Sequence, residues 1–188
     1  MNIFYLNKDP KVCAEQHCDK HVVKMIVEYA QLLSTAHRVI DGEEYEDRSK
    51  NNRKIKRWKL SNPNKDEIIY KACHVSHPSA IWVRKSSQHY LWLFSLFTEL
   101  SKEYTQRYGK THSTHRLLGE LLSEVPSNLA DNGFTEPPPA MKHFPDCIVQ
   151  GDSIQSYQNY YVVAKQYFAK WTNRNIPTWY SDRVSQTV

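Results

Sequence analysis

From about Ala14 to Ile40 the apolar residues Cys18, Val22, Met25, Ile26, Tyr29, Leu33, Ala36 and Ile40 recur every three or four positions. That spacing is the stripe of an amphipathic α-helix, and a stripe so long must be covered by other parts of the chain. Asp41-Gly42 closes the run. A second run opens at Pro78, which suits a first helical turn, and closes at Gly109, which suits the residue just past a helix. Trp82, His89, Leu93, Leu96, Leu100, Tyr104 and Tyr108 mark its inner face. At about 1.5 Å per residue such a helix spans roughly 45 Å and would be the spine of the molecule. A third run, from about Ser153 to Trp171, carries Ile154, Tyr157, Tyr161, Ala164, Phe168 and Trp171.

Between these runs the signals weaken. A short helix fits Ser113 to Leu122, and Pro126, Gly133, Pro137, Pro138, Pro139 and Pro145 mark a long wrapping loop. Arg48 to Lys65 reads as a loop, or as a marginal helix broken at Pro63. Alternation with a period of two goes no further than Ile3 to Leu6. The expected fold is all-α: a compact bundle of three principal helices with long loops, residues 1–188 forming a single domain.

At 188 residues such a chain buries about two-thirds of its unfolded surface without disulfides or metal. Cys13, Cys18, Cys73 and Cys147 are irregularly spaced, which predicts reduced thiols and a cytoplasmic setting. The first residues lack the basic and small-residue flanks of a signal peptide. The longest strongly apolar stretch, Tyr90 to Phe97, falls far short of the roughly 20 residues a membrane span needs. No membrane is therefore expected, and no cofactor; the chain is expected to be a monomer.

The formal net charge is +5, and its distribution matters more than its size. Arg48, Lys50, Arg53, Lys54, Lys56, Arg57, Lys59 and Lys65 follow the acidic run Asp41, Glu43, Glu44, Glu46 and Asp47, with Trp58 among the cations. Clustered cations with an aromatic suit a nucleic acid, whose counterions are released on contact. The alternative is a solubilising loop balanced by the acids before it. Arg84 and Lys85 add basic positions, and Trp179 and Tyr180, beyond the last helix and behind Pro177, are candidate stacking groups.

The densest polar ladder lies on the first helix: His21, Lys24, Glu28, Gln31, Thr35 and Arg38. A step of seven residues brings His21 and Glu28 nearly into line, so an imidazole and a carboxylate point the same way. At the rim of a cleft Glu28 would act as base or electrostatic stabiliser, with His21 or Lys24 as proton donor or phosphate contact. The ladder also reads as an ordinary solvated face. Cys13, His17 and His21 step by four, with Cys73, His74 and His77 elsewhere, but no standard zinc spacing joins them, so no metal is expected.

Asp19-Lys20-His21 with Glu28, Cys73-His74-Val75-Ser76 before a long helix ending in Arg107-Tyr108-Gly109, and the closing Pro177-Thr178-Trp179-Tyr180 occur in a telling order. Together they resemble pyrimidine-dimer DNA glycosylases of the phage endonuclease V type. The resemblance covers about a third of the chain, which is longer, mostly in residues 48–65 and 123–152. It implies a compact three-helix enzyme of DNA repair, in the cytoplasm of a phage's host, acting on double-stranded DNA. In that family the N-terminal α-amine attacks the glycosyl bond to give a Schiff base, and a Glu on the first helix is indispensable. The resemblance implies that Glu28 matches this Glu, His21 a nearby groove His, and Trp179 and Tyr180 a DNA-facing tail. The amine would be that of Met1, Lys20 or Lys24. Other readings are a transferase that decorates a DNA pyrimidine and a non-catalytic nucleic-acid-binding phage protein.

Overall fold

A computed structural model describes residues 1–185. It is 51% helical, with eight helices and one two-stranded antiparallel sheet, so the all-α expectation is corrected to a helix-dominated fold with a small β element. The helices are α1 (Pro10–Gln16), α2 (Asp19–Asp41), α3 (Pro63–Ile68), α4 (Pro78–Val83), α5 (Ser87–Tyr108), α6 (Ser113–Leu118), α7 (Ser153–Lys165) and α8 (Thr178–Ser185). Strands β1 (Glu43–Arg48) and β2 (Lys54–Lys59) form a hairpin after α2.

Two of the long helical runs are each broken once, and each break is held from a distance. The first run parts at His17 and Cys18, both extended, where Arg107 of α5 donates to the freed carbonyls of Glu15 and His17 at 3.0 and 2.9 Å. The second parts at Arg84 to Ser86. There the Ser86 hydroxyl caps α5 by accepting the Gln88 amide and also accepts the Asn132 amide, while Ser87 donates its amide to Ala130. Gly109 ends α5 in the left-handed region at φ 65°, where glycine carries no steric cost. The third run ends its helix at Lys165, and α6 is shorter than expected.

The basic stretch is neither loop nor broken helix. β2 pairs with acidic β1 in a register that sets Glu44 opposite Trp58, Glu46 opposite Lys56 and Arg48 opposite Lys54. Lys54 reaches Glu46 at 3.0 Å, Lys56 reaches Glu44 at 2.8 Å and Arg57 lies 3.8 Å from Asp47. Every β1 residue is exposed, so no buried face betrays the strand in sequence. Pro63 starts a helix, α3, behind the Asn62 cap, instead of breaking one.

The core gathers around an extended amino-terminal segment. Ile3, Phe4, Tyr5 and Leu6 are all buried, packed with Tyr29, Leu33, Tyr90, Leu93, Tyr157 and Tyr161. Tyr29 holds the Phe4 amide and the Cys13 thiol donates to the Phe4 carbonyl at 3.2 Å, while Gln158 of α7 donates to the Leu6 carbonyl. The wrapping loop closes over this segment: Tyr157 donates to the Pro138 carbonyl and accepts the Ala140 amide.

A second hub is Arg38, wholly buried near the end of α2. Its guanidinium donates to the carbonyls of Trp58, Asp66, Ile69 and Tyr70 and pairs with the Asp66 carboxylate at 2.6 Å, tying hairpin, α3 and α2 together. Burial alone would raise the Asp66 carboxyl, but the Leu60 amide and Arg38 outweigh it and hold the group below the ordinary carboxylate range. No helix among the described residues is long and apolar enough to cross a membrane.

Candidate active site around Met1 and Glu28

Because Ile3 to Leu6 run through the core, Met1 arrives beside the middle of α2. Its α-ammonium lies 3.6 Å from Oε2 of Glu28, whose Oε1 pairs with Lys24 Nζ at 3.1 Å. The Glu28 side chain is 16% exposed and the Met1 side chain 6%, whereas Lys24 is 70% exposed. A carboxylate thus sits between two amines, one at the start of the buried amino-terminal segment and one on an exposed lysine.

The amine borders a cavity of about 680 Å³. Met1 and Asn2 form one wall, Ser76 to Pro78 a second, Pro139 to Phe144 with Ile148 a third, and Tyr160 of α7 completes it. His77 caps α4, its Nδ1 accepting the Ser79 amide at 3.1 Å, so the cap itself fixes the imidazole at the cavity. Burial, then the Met1 ammonium and His74, lower the His77 pKa, with Glu28 opposing them. A neutral imidazole beside an amine and a carboxylate is suited to passing protons. His74 stands at φ 49°, the left-handed region, which turns the chain sharply before α4.

The other predicted residues are scattered. His21 is buried, with Nδ1 2.5 Å from the Tyr161 hydroxyl and its ring 4.2 Å from that of Phe4. Burial, followed by His17, Lys165 and Lys24, pushes its pKa down to about 2, so it is neutral and faces the core rather than a groove. Lys20 lies over the Phe168 ring. Gln31 is half-buried, Thr35 exchanges hydrogen bonds with the backbone of Cys73, and Arg38 is the hub already described, so the ladder is largely covered instead of solvated.

The expected DNA-facing groups change as well. Lys54, Lys56 and Arg57 are paired to acids across the hairpin, and Trp58 is half-buried at its base, beside Gly42. Cations segregated in sequence are therefore interleaved with acids in space. Arg53, at the hairpin turn, and Lys85 are exposed. Arg84 is half-buried, donating to the Val75 carbonyl at 2.7 Å. Trp179 and Tyr180 belong to α8 and pack against Tyr161 and Trp171; Tyr180 is 7% exposed, so the pair is not an exposed stacking tail.

Asp19, part of the motif on the first helix, is structural: it accepts from Arg107 at 2.9 Å and from the amide and hydroxyl of Thr172, fastening the carboxyl-terminal segment to α2. Cys13 and His17 are likewise engaged with backbone and Tyr29. Among the described residues, no cluster of three His, Cys, Asp or Glu is placed to hold a metal ion.

The sequence brings Met1, Lys24 and Glu28 together as candidates and offers His77 only as a possible metal ligand, while it does not place Phe144 or Tyr160 at this site. His77 before Pro78 was a legible signal, because a residue at that position caps the helix. Phe144 and Tyr160 meet only because the wrapping loop folds back over α7, with ring centroids 5.1 Å apart. In comparisons with known proteins, the chain matches no family model, no curated protein and no solved structure.

Proposed function

We propose that the protein is a DNA-acting enzyme that cleaves a pyrimidine N-glycosyl bond, with the Met1 α-amine as nucleophile and Glu28 as its proton acceptor. The observation that carries the reading is the ion pair of Met1 and Glu28 at a cavity. An amine at that position must lose a proton before it can attack, and the carboxylate 3.6 Å away is the group that takes it.

In the proposed step the free amine bonds to the sugar C1′ as the bond from C1′ to the base breaks. The base leaves with the bonding pair and picks up a proton. Opening of the sugar ring then gives a protonated imine between Met1 and the sugar, whose 4′ oxygen takes up a proton. Loss of the 2′ proton from that imine expels the 3′ phosphate, which is the strand-cleaving continuation. Glu28 stands where the positive charge develops, in a site partly shielded from water, and a fixed carboxylate there lowers the barrier.

Double-stranded DNA is proposed to be held by Lys50 and Arg53 at the hairpin turn, together with Lys85, none of which has an acidic partner among the described residues. Borohydride trapping on duplex DNA bearing a damaged or modified pyrimidine tests the reading. A covalent adduct mapped to the Met1 peptide is expected. Full retention of DNA binding with no adduct overturns it and leaves a binding protein.

A further inference from the structure

The hairpin after α2 is a braced arm. Each strand has six residues, which at about 3.3 Å per residue gives a length of roughly 20 Å. Its base is fixed by Arg38, whose guanidinium donates to the Trp58 carbonyl, and Trp58 itself is half-buried there. Along the arm, cross-strand ion pairs match Lys54 with Glu46, Lys56 with Glu44 and Arg57 with Asp47, so these strand cations are matched within the hairpin. The cations without an acidic partner lie at its tip.

The turn, residues 49–53, is held in one shape by its own groups. Ser49 donates its amide to the Arg53 carbonyl at 2.9 Å, its carbonyl accepts the Asn52 amide at 2.8 Å, and its hydroxyl accepts the Arg53 amide at 3.1 Å. Asn52 stands at φ 57°, a left-handed position that asparagine tolerates, and its carbonyl and side-chain oxygens accept from Arg48 at 3.2 and 3.0 Å. Asn52 therefore serves the turn. Asn51 beside it is exposed, and its side chain has no partner among the described residues. Lys50 and Arg53 flank the two asparagines as exposed cations.

A free carboxamide between two cations suits a base edge between two phosphates. Asn can donate to N7 of adenine while accepting from its N6 amino group, a pair presented only in the major groove, and cations position the contact on the backbone. Size selects the same groove: two strands about 4.8 Å apart, with their side chains, enter a groove about 12 Å wide and not one about 6 Å wide. Glu43, Glu44, Glu46 and Asp47 along β1 oppose a phosphate backbone laid beside the arm, so the approach is by the tip. We propose that the hairpin tip enters the major groove of duplex DNA, Asn51 pairing with the edge of an adenine while Lys50 and Arg53 contact phosphates. The inference rests on the DNA-binding part of the proposed function and deepens it, because it puts a sequence-reading contact on an element apart from Met1 and Glu28.

Fluorescence anisotropy with three undamaged duplexes of equal length tests it: alternating A·T, alternating G·C, and alternating A·T in which 7-deazaadenine removes the N7 acceptor. The full chain is expected to bind the A·T duplex about tenfold more tightly than the G·C duplex, the value of one bidentate base contact. The 7-deazaadenine duplex should lose that preference. Asn51→Ala should lose it too, with the salt slope unchanged, whereas Lys50→Ala should lower the slope by about 0.9 and keep the preference. Both side chains are exposed, so both variants should keep the parent melting temperature.

No duplex binding, equal binding of the A·T and G·C duplexes, or a preference that survives 7-deazaadenine or Asn51→Ala overturns the inference. An RNA duplex, whose deep and narrow major groove excludes side chains, should bind no better than the G·C duplex, and tighter binding of it reduces the tip to a phosphate contact and overturns the inference as well. The trapping experiment reads a different event. An adduct at Met1 without an A·T preference keeps the amine chemistry and removes the groove contact, whereas the preference without an adduct does the reverse.

Discussion

The Tyr29 hydroxyl joins two buried elements: it accepts the Phe4 amide at 3.2 Å and lies 3.0 Å from Nε2 of His17. His17 Nδ1 is 2.7 Å from the Cys13 carbonyl, which can only accept, so Nδ1 carries the proton and Tyr29 donates to Nε2. One hydroxyl therefore fixes both the tautomer of a buried histidine and the depth of the amino-terminal segment. Tyr29→Phe leaves two buried polar groups without a partner and should cost about 1–3 kcal/mol in urea denaturation. On the proposed function, adduct formation at Met1 should slow as the segment loosens. Unchanged stability would show that the hydroxyl holds nothing.

Glu28→Gln keeps the size of the side chain and removes its charge. On the proposed function, imine formation should fall about 10²–10⁴-fold, the usual contribution of a positioned base, while DNA affinity stays near the parent value. The measurement is single-turnover trapping beside fluorescence anisotropy. Lost affinity with retained trapping would place Glu28 in binding instead of chemistry.

Arg38→Met removes the cation beneath the hairpin and leaves Asp66 facing carbonyls that have lost their donor. Asp66 keeps access to water, so the loss comes chiefly from the carbonyls left without a donor and is about 1–3 kcal/mol. Amide exchange should quicken first in residues 43–59 and 60–70, the segments whose carbonyls Arg38 gathers. Uniform acceleration over the whole chain would show that Arg38 serves global stability alone.

Stability should fall on mild acidification. Burial is the leading cause that lowers His17 to about 4, His21 to about 2 and His37 to about 4, against the ordinary 6.5. The unfolded chain therefore binds more protons than the folded one below pH 6.5. The stabilisation is whole above that value and is lost as pH drops to about 4 for His17 and His37 and on to about 2 for His21, each contributing up to about 1.4 kcal/mol per pH unit. Urea midpoints at several pH values between 7 and 4.5 measure the slope. A flat profile would mean that these imidazoles gain protons without unfolding.

The hairpin pairing makes a prediction about salt. Arg53→Ala should reduce the salt slope of DNA binding by about 0.9, the value of one phosphate contact. Lys54→Ala and Lys56→Ala, whose charges are matched by Glu46 and Glu44, should change it less. Anisotropy titrations across a range of ionic strength separate the two, and equal slopes for all three variants would return the strand to the DNA interface.

What the sequence makes legible follows its periodicity. The stripe from Cys18 to Ile40 has the right period over many turns, and α2 stands where it predicts. The parting at His17 is invisible, because Arg107, the group that stabilises it, is 90 residues away in the chain. The hairpin escapes notice for a different reason: charge pairs across its strands hold it, and those leave no apolar alternation. Tyr180 is misread as exposed because α8 is short, although Tyr180 and Val184 recur four apart on one face. Glu28 is readable from its place on the ladder, whereas the cavity walls are not, since Tyr160 and Phe144 meet only after the wrapping loop has closed.

Arg107 also makes the amino-terminal segment depend on α5. Until α5 is docked, the carbonyls of Glu15 and His17 have no guanidinium to receive them, and the first run gains most from continuing as one helix straight through His17. Met1 lies before that break and Glu28 after it, so a chain in which α5 is undocked carries both groups without the contact that fixes the turn between them.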